Sequence, residues 1–212
     1  MTGRAVLFDI GGPIDMEFAW EIAVDGAIAA ACGMEGVRVD QAMVEEASDK
    51  AVAAFAEDTY GHMIETLCGD PVTVARVRHR VEAMTGQLDA FQLRPDIDSL
   101  LRKLRQPPGI AVGAPHADWQ RLERAGLAGL FDRELAVPPA ECIFVGDRLD
   151  RDIAPARAAG MATIQFRTGR WRRQRPRSDA ETPDEVVTDV AELEAAILRL
   201  LGARHSSGAS SL

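Results

Sequence analysis

The sequence lacks the features that mark secreted, membrane-spanning and nucleic-acid-binding proteins. Its three cysteines (Cys32, Cys68 and Cys142) are widely spaced and form no Cys-x-x-Cys pair, and Cys142 is expected to be an inert core thiol because it begins a predicted strand. No apolar run is long enough to cross a bilayer and no basic and apolar leader begins the chain, which predicts a cytoplasmic protein with no membrane contact. The formal net charge of −9 disfavours general binding to nucleic acids or anionic membranes.

Lysine is also scarce. Of the 24 lysine and arginine residues, only Lys50 and Lys103 are lysines. Arginine is concentrated between residues 167 and 177, where Trp171 lies among six arginines. Basic residues interleaved with an aromatic residue occur in nucleic-acid sites. The acidic balance of the whole chain favours a different interpretation, namely a solvated loop paired with neighbouring acids.

Two apolar segments of strand character each end at an aspartate. Residues 6–8 lead to Asp9, and residues 143–145 lead to Asp147, with Asp152 five positions further on. If the two strands are neighbours in a parallel sheet, the three carboxylates meet beyond the carboxyl ends, where ligands bind in this architecture. Converging carboxylates repel one another and require a cation or a proton, and an all-oxygen cluster suits Mg²⁺.

Each aspartate also has a simpler interpretation. Asp9 would then merely end a strand, and Asp147 and Asp152 would be acids at a helix N-terminus, where the helix dipole favours negative charge. The presence of both segments in one chain favours the metal site over this alternative.

The two segments resemble the first and fourth motifs of the haloacid dehalogenase (HAD) superfamily, Asp-x-Asp-Gly-Thr/Val and Gly-Asp-x-x-x-x-Asp. The fourth motif is complete at Asp147 and Asp152. The first matches at Asp9 and Gly12 but has Gly11 where the family has its second aspartate. The resemblance implies an α/β fold: a Rossmann-like, HAD-like parallel sheet with an all-helical cap inserted after the first strand.

This resemblance extends from about residue 4 to about residue 195 and predicts the domain organisation. The predicted parts are a HAD-like α/β core domain at residues 1–14 and 94–202, a helical cap at 15–93 and a disordered tail at 203–212. Helical spacing of apolar residues in the cap region supports this division. Four cap residues are expected to be core residues, with a substrate pocket as the alternative: Trp20, Tyr60, His62 and Met63.

The resemblance also implies a mechanism and a metal site. In the family the first aspartate of motif one attacks a phosphoester and forms an aspartyl-phosphate, which assigns Asp9 as the nucleophile. Asp9 and Asp147 would bind Mg²⁺ through their carboxylates, and the backbone carbonyl of Gly11 would be a third ligand. Asp152 would orient Asp147 or a metal-bound water.

Three functional positions of the family are missing. Gly11 replaces the acid–base residue, the second strand at residues 110–114 offers no hydroxyl group, and no lysine lies near the third motif. Two residues are candidates to bind the substrate instead: His116, just past the second strand, and Arg148, next to Asp147. The alternative for both is an ordinary loop or surface residue.

The region of the third motif is shortened. From Asp132 the chain reaches the fourth-motif strand within ten residues, where relatives carry a further strand and helix. That unit would lie beside the second strand, so its loss predicts that the second strand becomes an exposed sheet edge. An exposed edge invites self-association and favours a homodimer.

These observations predict a HAD-like hydrolase. The favoured function is a Mg²⁺-dependent phosphatase that acts on a small phosphorylated metabolite through Asp9, with weak or altered activity. A haloalkanoate dehalogenase is disfavoured, since that chemistry needs no metal and the metal-type fourth motif is intact. The alternatives are a catalytically inactive relative that binds a phospho-ligand or a protein, and a partly degenerate product that is stable only as an oligomer.

Overall fold

The structure, a computed structural model, describes residues 4–88, 90–106, 110–114 and 119–208, with side chains described as far as residue 202. The chain forms two compact units. The sheet unit comprises Met1–Met16, Leu93–Thr168 and Pro176–Leu212, and the helical unit comprises Glu17–Gln92 and Gly169–Arg175. The sequence predicts the short segment Gly169–Arg175 to be part of the core domain, but it packs in the helical unit.

Within the described residues, the sheet has five parallel strands in the order β2-β1-β3-β4-β5. The strands are β1 (Ala5–Phe8), β2 (Ala111–Gly113), β3 (Cys142–Gly146), β4 (Ala162–Phe166) and β5 (Glu185–Val187). The central strands read as nearly continuous apolar runs because both faces of a parallel sheet are covered. The predicted Rossmann-like parallel sheet is confirmed.

The helical unit is built from α1 (Phe18–Met34), α2 (Gln41–Ala53), α3 (Thr59–Cys68) and α4 (Pro71–Thr85). Asp40, Asp58 and Asp70 precede the last three helices, and each accepts a hydrogen bond from a backbone N–H of the first turn. Such caps satisfy N–H groups that have no partner within the helix. Apolar faces of all four helices meet in a core that includes Ile28, Val44, Met63 and Val77.

The helices of the sheet unit are α5 (Ile97–Arg105), α6 (Trp119–Arg124), α7 (Ala154–Ala158) and α8 (Val190–Gly208). The last helix corrects one prediction, since residues 203–208 are helical rather than part of a disordered tail. Alanine and arginine at positions 203 and 204 are good helix formers and allow the helix to continue. Among the described residues, no helix combines the length and apolarity that spanning a bilayer requires.

Strand β2 lies at the edge of the sheet, as the shortened third-motif region predicted. Ala111 donates its N–H to the Arg4 carbonyl on the β1 side, so the next residue, Val112, faces outward. Asp132 pairs with both outward groups: its N–H donates to the Val112 carbonyl at 2.7 Å, and its Oδ2 accepts from the Val112 N–H at 3.0 Å. Arg105 forms an ion pair with the same carboxylate.

This edge is therefore covered rather than exposed, because one aspartate satisfies the outward donor and acceptor of a three-residue strand. The expectation of an exposed edge is wrong for this reason. The argument for a homodimer loses its basis here, and the homodimer itself stays a prediction.

Asp132→Ala should lower the free energy of unfolding by about 1–2 kcal/mol, because the Val112 N–H loses its acceptor. Asp132→Asn keeps a side-chain oxygen and loses only the partly exposed ion pair with Arg105, so its loss should be about 0–1 kcal/mol. Urea denaturation measures both variants. Equal losses would show that the ion pair, and not the covered strand edge, is the stabilising contact.

Candidate active site

Three carboxylates converge at the carboxyl edge of the sheet. Strands β1 and β3 are neighbours, and the N–H of Asp9 extends their hydrogen-bond ladder by donating to the Val145 carbonyl at 2.8 Å. Asp147 directly follows β3, and Asp152 lies in the helical turn after it. One oxygen from each of Asp9, Asp147 and Asp152 lies within 4.8 Å of the others. The structure thus brings together the three aspartates that the sequence singled out.

Two glycines make room for these carboxylates. A Cβ on Gly12 would lie 2.6 Å from Oδ2 of Asp147, and a Cβ on Gly146 would lie 2.4 Å from the Cβ of Asp152. Both distances are shorter than non-bonded carbon contacts allow. Gly12 also has a φ of 83°, in the left-handed region that disfavours other residues. Both glycines belong to the sequence motifs, but only the structure shows that Gly12 leaves room for Asp147 and Gly146 for Asp152.

Asp152 is held by the turn that precedes it. Its Oδ2 accepts a hydrogen bond from the Arg148 backbone N–H at 2.8 Å. Burial raises the pKa of Asp152 to about 6, and hydrogen bonds from the backbone of Arg148 and Asp147 oppose this rise. A buried carboxylate beside two others is costly in its charged form, and a bound cation would stabilise it.

The residues present fit a magnesium ion. Three carboxylates form an all-oxygen donor set of the kind that hard divalent cations prefer. In the described part of the chain, this is the only group of three acidic, histidine or cysteine side chains placed closely enough to hold a metal. Gly11 lies two residues after Asp9, in a turn closed by the hydrogen bond from the Asp15 N–H to the Ile10 carbonyl at 2.8 Å. Its role as a ligand stays a prediction.

Arg94 is a cation at this turn that the sequence analysis missed. Its Nε donates to the carbonyls of Gly12 and Pro13, each at 3.1 Å, and its Nη2 donates to Thr168 Oγ1 at 2.8 Å. The guanidinium lies over the ring of Phe166, 4.4 Å from its centroid. Arg94 therefore fixes the turn that follows the proposed nucleophile.

Charge around Arg94 links it to the acidic cluster. Burial lowers the pKa of Arg94, while the negative charges of Asp147 and Asp15 act in the opposite direction. Asp15 is buried and forms an ion pair with Arg121 of α6. The only signal for Arg94 in the sequence is its place before Pro95, where the chain returns to the core, and that position does not reveal its contacts.

The two predicted substrate-binding residues have different outcomes. His116 lies outside the described residues. The Nε and Nη2 atoms of Arg148 donate to the two carboxylate oxygens of Asp150 at 3.2 and 2.7 Å, and the Arg148 side chain is 11% exposed. Arg148 is thus buried and paired within its own loop, and its role in binding phosphate stays a prediction.

The arginine-rich segment is paired with acids, as expected. The pairs are Arg170–Asp25, Arg173–Asp49 and Arg177–Glu181. The expected solvent exposure is wrong for Arg170, which is 8% exposed and also contacts Ser48 and Met63 inside the helical unit. Its backbone N–H donates to Glu21 at 2.8 Å.

The expectation of core packing in the predicted cap is confirmed for three of its four residues. Met63 is fully buried, and Trp20 and Tyr60 pack against the core of the helical unit. Burial raises the pKa of Tyr60 to about 12. His62 is half-buried, and its role stays a prediction.

Gly12→Ala should destabilise the protein more than Gly36→Ala, which serves as a matched control. Gly36 has a similar φ of 79° but nothing within 4 Å of the added Cβ, so it isolates the cost of backbone strain, about 1–2 kcal/mol. Gly12→Ala should lose about 1–3 kcal/mol more because its Cβ overlaps Asp147. Chemical denaturation compares the two, and equal losses would contradict the overlap.

Comparison with known proteins agrees with these features. A family model described as HAD-hydrolase-like matches residues 113–193. A glyceraldehyde 3-phosphate phosphatase from Methanopyrus kandleri is 32% identical over 126 residues, which is 47% of this chain and 54% of that protein. The chain spans about half the length of the curated relatives that it matches.

Solved structures resemble the whole described fold. A HAD family hydrolase from Deinococcus radiodurans, with bound phosphate and sodium, has a TM-score of 0.60 and 18% identity, covering 93% of this chain and 96% of that one. The protein YfnB from Bacillus subtilis, bound to magnesium, has a TM-score of 0.56 and 16% identity, covering 92% and 99%. Likeness at these identities shows the fold alone. The fold and the family-model match at residues 113–193 together confirm the predicted resemblance to the haloacid dehalogenase superfamily.

Proposed function

We propose that the protein is a phosphatase that hydrolyses a small phosphorylated metabolite, with Asp9 as the nucleophile. The convergence of Asp9, Asp147 and Asp152 within 4.8 Å carries the proposal. The name of the Methanopyrus kandleri relative, a phosphatase, and the phosphate in the Deinococcus radiodurans structure support it. The substrate of that relative is not assigned to this protein, because the match covers only about half of the relative's length.

In the proposed reaction, the Asp9 carboxylate attacks phosphorus, the phosphorus–oxygen bond to the leaving group breaks, and an aspartyl-phosphate forms on Asp9. Water then hydrolyses this intermediate and releases phosphate. A carboxylate is a weak nucleophile, so most of the acceleration must come from holding the reactants in line. The hydrogen bond from the Asp9 N–H to Val145 fixes the backbone of the nucleophile on the rigid sheet.

The proposed cofactor is Mg²⁺, held by the carboxylates of Asp9 and Asp147 and by the backbone carbonyl of Gly11. When bound, Mg²⁺ would neutralise phosphate charge and help to orient the phosphoryl group. Asp152 would position Asp147, and their proximity and the space that Gly146 leaves support this role. The magnesium in YfnB supports this assignment.

The helical unit is proposed to act as the cap that selects the substrate, since it is inserted directly after β1. Its predicted boundaries at residues 15–93 then need to include the later segment Gly169–Arg175. A cytoplasmic location stays a prediction.

Asp9→Asn should abolish phosphate release from any phosphorylated metabolite that the wild-type protein hydrolyses with Mg²⁺, because the amide cannot form an aspartyl-phosphate. Asp179→Asn, at an exposed site in the sheet unit, is the matched control and should keep wild-type turnover. Released phosphate is measured by a colorimetric assay. Activity that survives Asp9→Asn would eliminate the proposed nucleophile.

The second candidate is a non-catalytic protein that binds a phospho-ligand, and the lack of an acid–base side chain at Gly11 favours it. Mg²⁺ and phosphate would then raise the melting temperature by mass action without any turnover in the wild-type protein. A melting temperature unaffected by either ligand would contradict both candidates.

The loss of the acid at position 11 should make turnover depend on the leaving group. General acid catalysis typically contributes about 10²–10⁴-fold to rate, and only poor leaving groups require it. Aryl or acyl phosphates should therefore be hydrolysed at least about 100-fold faster than alkyl phosphates. Gly11→Asp should reduce this difference, and equal rates on both substrate types in the wild-type protein would show that another group supplies the proton.

A further inference from the structure

Two cysteines of the helical unit lie side by side. Cys32 is in the last turn of α1, Cys68 is the last residue of α3, and their Sγ atoms are 3.7 Å apart. The 36 positions that separate them in the sequence conceal this proximity. Cys142 belongs to the sheet unit, where its Sγ contacts the carbonyls of Val137 and Pro138. The three thiols therefore form one close pair and one separate residue.

The two sulfur atoms have to approach further to form a bond, and the end of α3 is where this can happen. A disulfide requires an S–S distance of about 2.05 Å. Helix α3 ends at Cys68, and Gly69, which follows it, has a φ of 76° with nothing within 4 Å of where a Cβ would be. The end of α3 thus adjoins open space on that side. Cys32 is fully buried among apolar residues of the core, whereas Cys68 is only partly buried, so the bond requires less rearrangement at Cys68.

The two thiols also differ in access. Cys68 is half-buried and can be reached from solvent, whereas Cys32 is fully buried. Burial raises the pKa of Cys32 to about 12 and shifts the pKa of Cys68 in the same direction. Because the thiolate is the reactive form, a reagent from solvent reacts first with Cys68, and slowly at neutral pH.

We propose that Cys32 and Cys68 form a site of reversible disulfide formation that takes low-molecular-weight disulfides as its oxidant. The Cys68 thiolate attacks one sulfur of the small disulfide, whose S–S bond breaks and releases one thiolate. Cys32, deprotonated, then attacks the Cys68 sulfur and releases the second small thiol. The balance is two protein thiols oxidised to one disulfide and one small disulfide reduced to two thiols.

The resulting bond joins the end of α1 to the end of α3. It would close a loop that contains α2, and such a cross-link stabilises a protein mainly by restricting its unfolded chain. The site lies wholly within the helical unit and does not depend on the proposed phosphatase activity.

The test uses oxidised glutathione as the probe. The native protein is equilibrated with defined ratios of reduced to oxidised glutathione, quenched with iodoacetamide in denaturant so that buried thiols also react, and analysed by intact mass and non-reducing peptide mapping. We expect one alkylated residue, Cys142, one linked peptide that contains Cys32 and Cys68, and a mass about 2 Da below that of the reduced chain before alkylation. The melting temperature of the linked protein should rise by about 5–10 °C.

Variants assign the two steps. Cys32→Ser should stop at a glutathione adduct on Cys68, and Cys142→Ser, the matched control, should form the same link as the wild-type protein. A persistent adduct on wild-type Cys68, or three alkylated cysteines at the most oxidising ratio, would overturn the proposal.

Two further outcomes decide whether the native fold itself places Cys32 and Cys68 in position to form the disulfide. In the native protein the Cys32–Cys68 disulfide should form in preference to disulfides that include Cys142, and in urea this preference should disappear. The same preference in native and unfolded protein would show that the native contact plays no part. A melting temperature lowered by the link would show that the helices do not hold the sulfur atoms in bonding position.

Discussion

The mutual repulsion of three carboxylates at the carboxyl edge of the sheet is the constraint on which the rest of this structure depends. Asp9, Asp147 and Asp152 are held within 4.8 Å of one another by backbone hydrogen bonds and by the absence of side chains at two glycines. Such a cluster is costly in its charged form unless positive charge lies nearby. Burial adds to that cost, since it raises the pKa of Asp152 to about 6. The arrangement therefore does little for the stability of the fold by itself, and it supports the proposed cation site.

Much of the sheet could be predicted from local pattern. Strand β3 lies where its apolar run predicted it. A strand buried on both faces is recognisable from a short run of consecutive apolar residues, which here is five residues long. Strand β2 is shorter than predicted, and its covered edge was not predicted at all. The contact that covers it joins Val112 to Asp132, 20 residues apart, and nothing in either local sequence specifies that the two meet.

The same limit separates the site residues that were identified from those that were missed. Asp9, Asp147 and Asp152 follow apolar strand segments, so a parallel sheet alone brings them to one edge. Arg94 binds the Gly12 carbonyl across 82 positions, and Cys68 meets Cys32 across 36. These contacts depend on how whole helices and loops pack, and the residue types alone do not indicate which partner each will contact.

Arg170 has a consequence for how the two units can be recombined. Its guanidinium lies inside the helical unit against Asp25, although it is encoded after β4, far from the helices that it contacts. A transplant of residues 17–92 alone onto a foreign scaffold would leave the half-buried carboxylates of Asp25 and Glu21 without their arginine, which is destabilising. Exchange of this helical unit between related proteins therefore requires both of its segments, Glu17–Gln92 and Gly169–Arg175, to be transferred together.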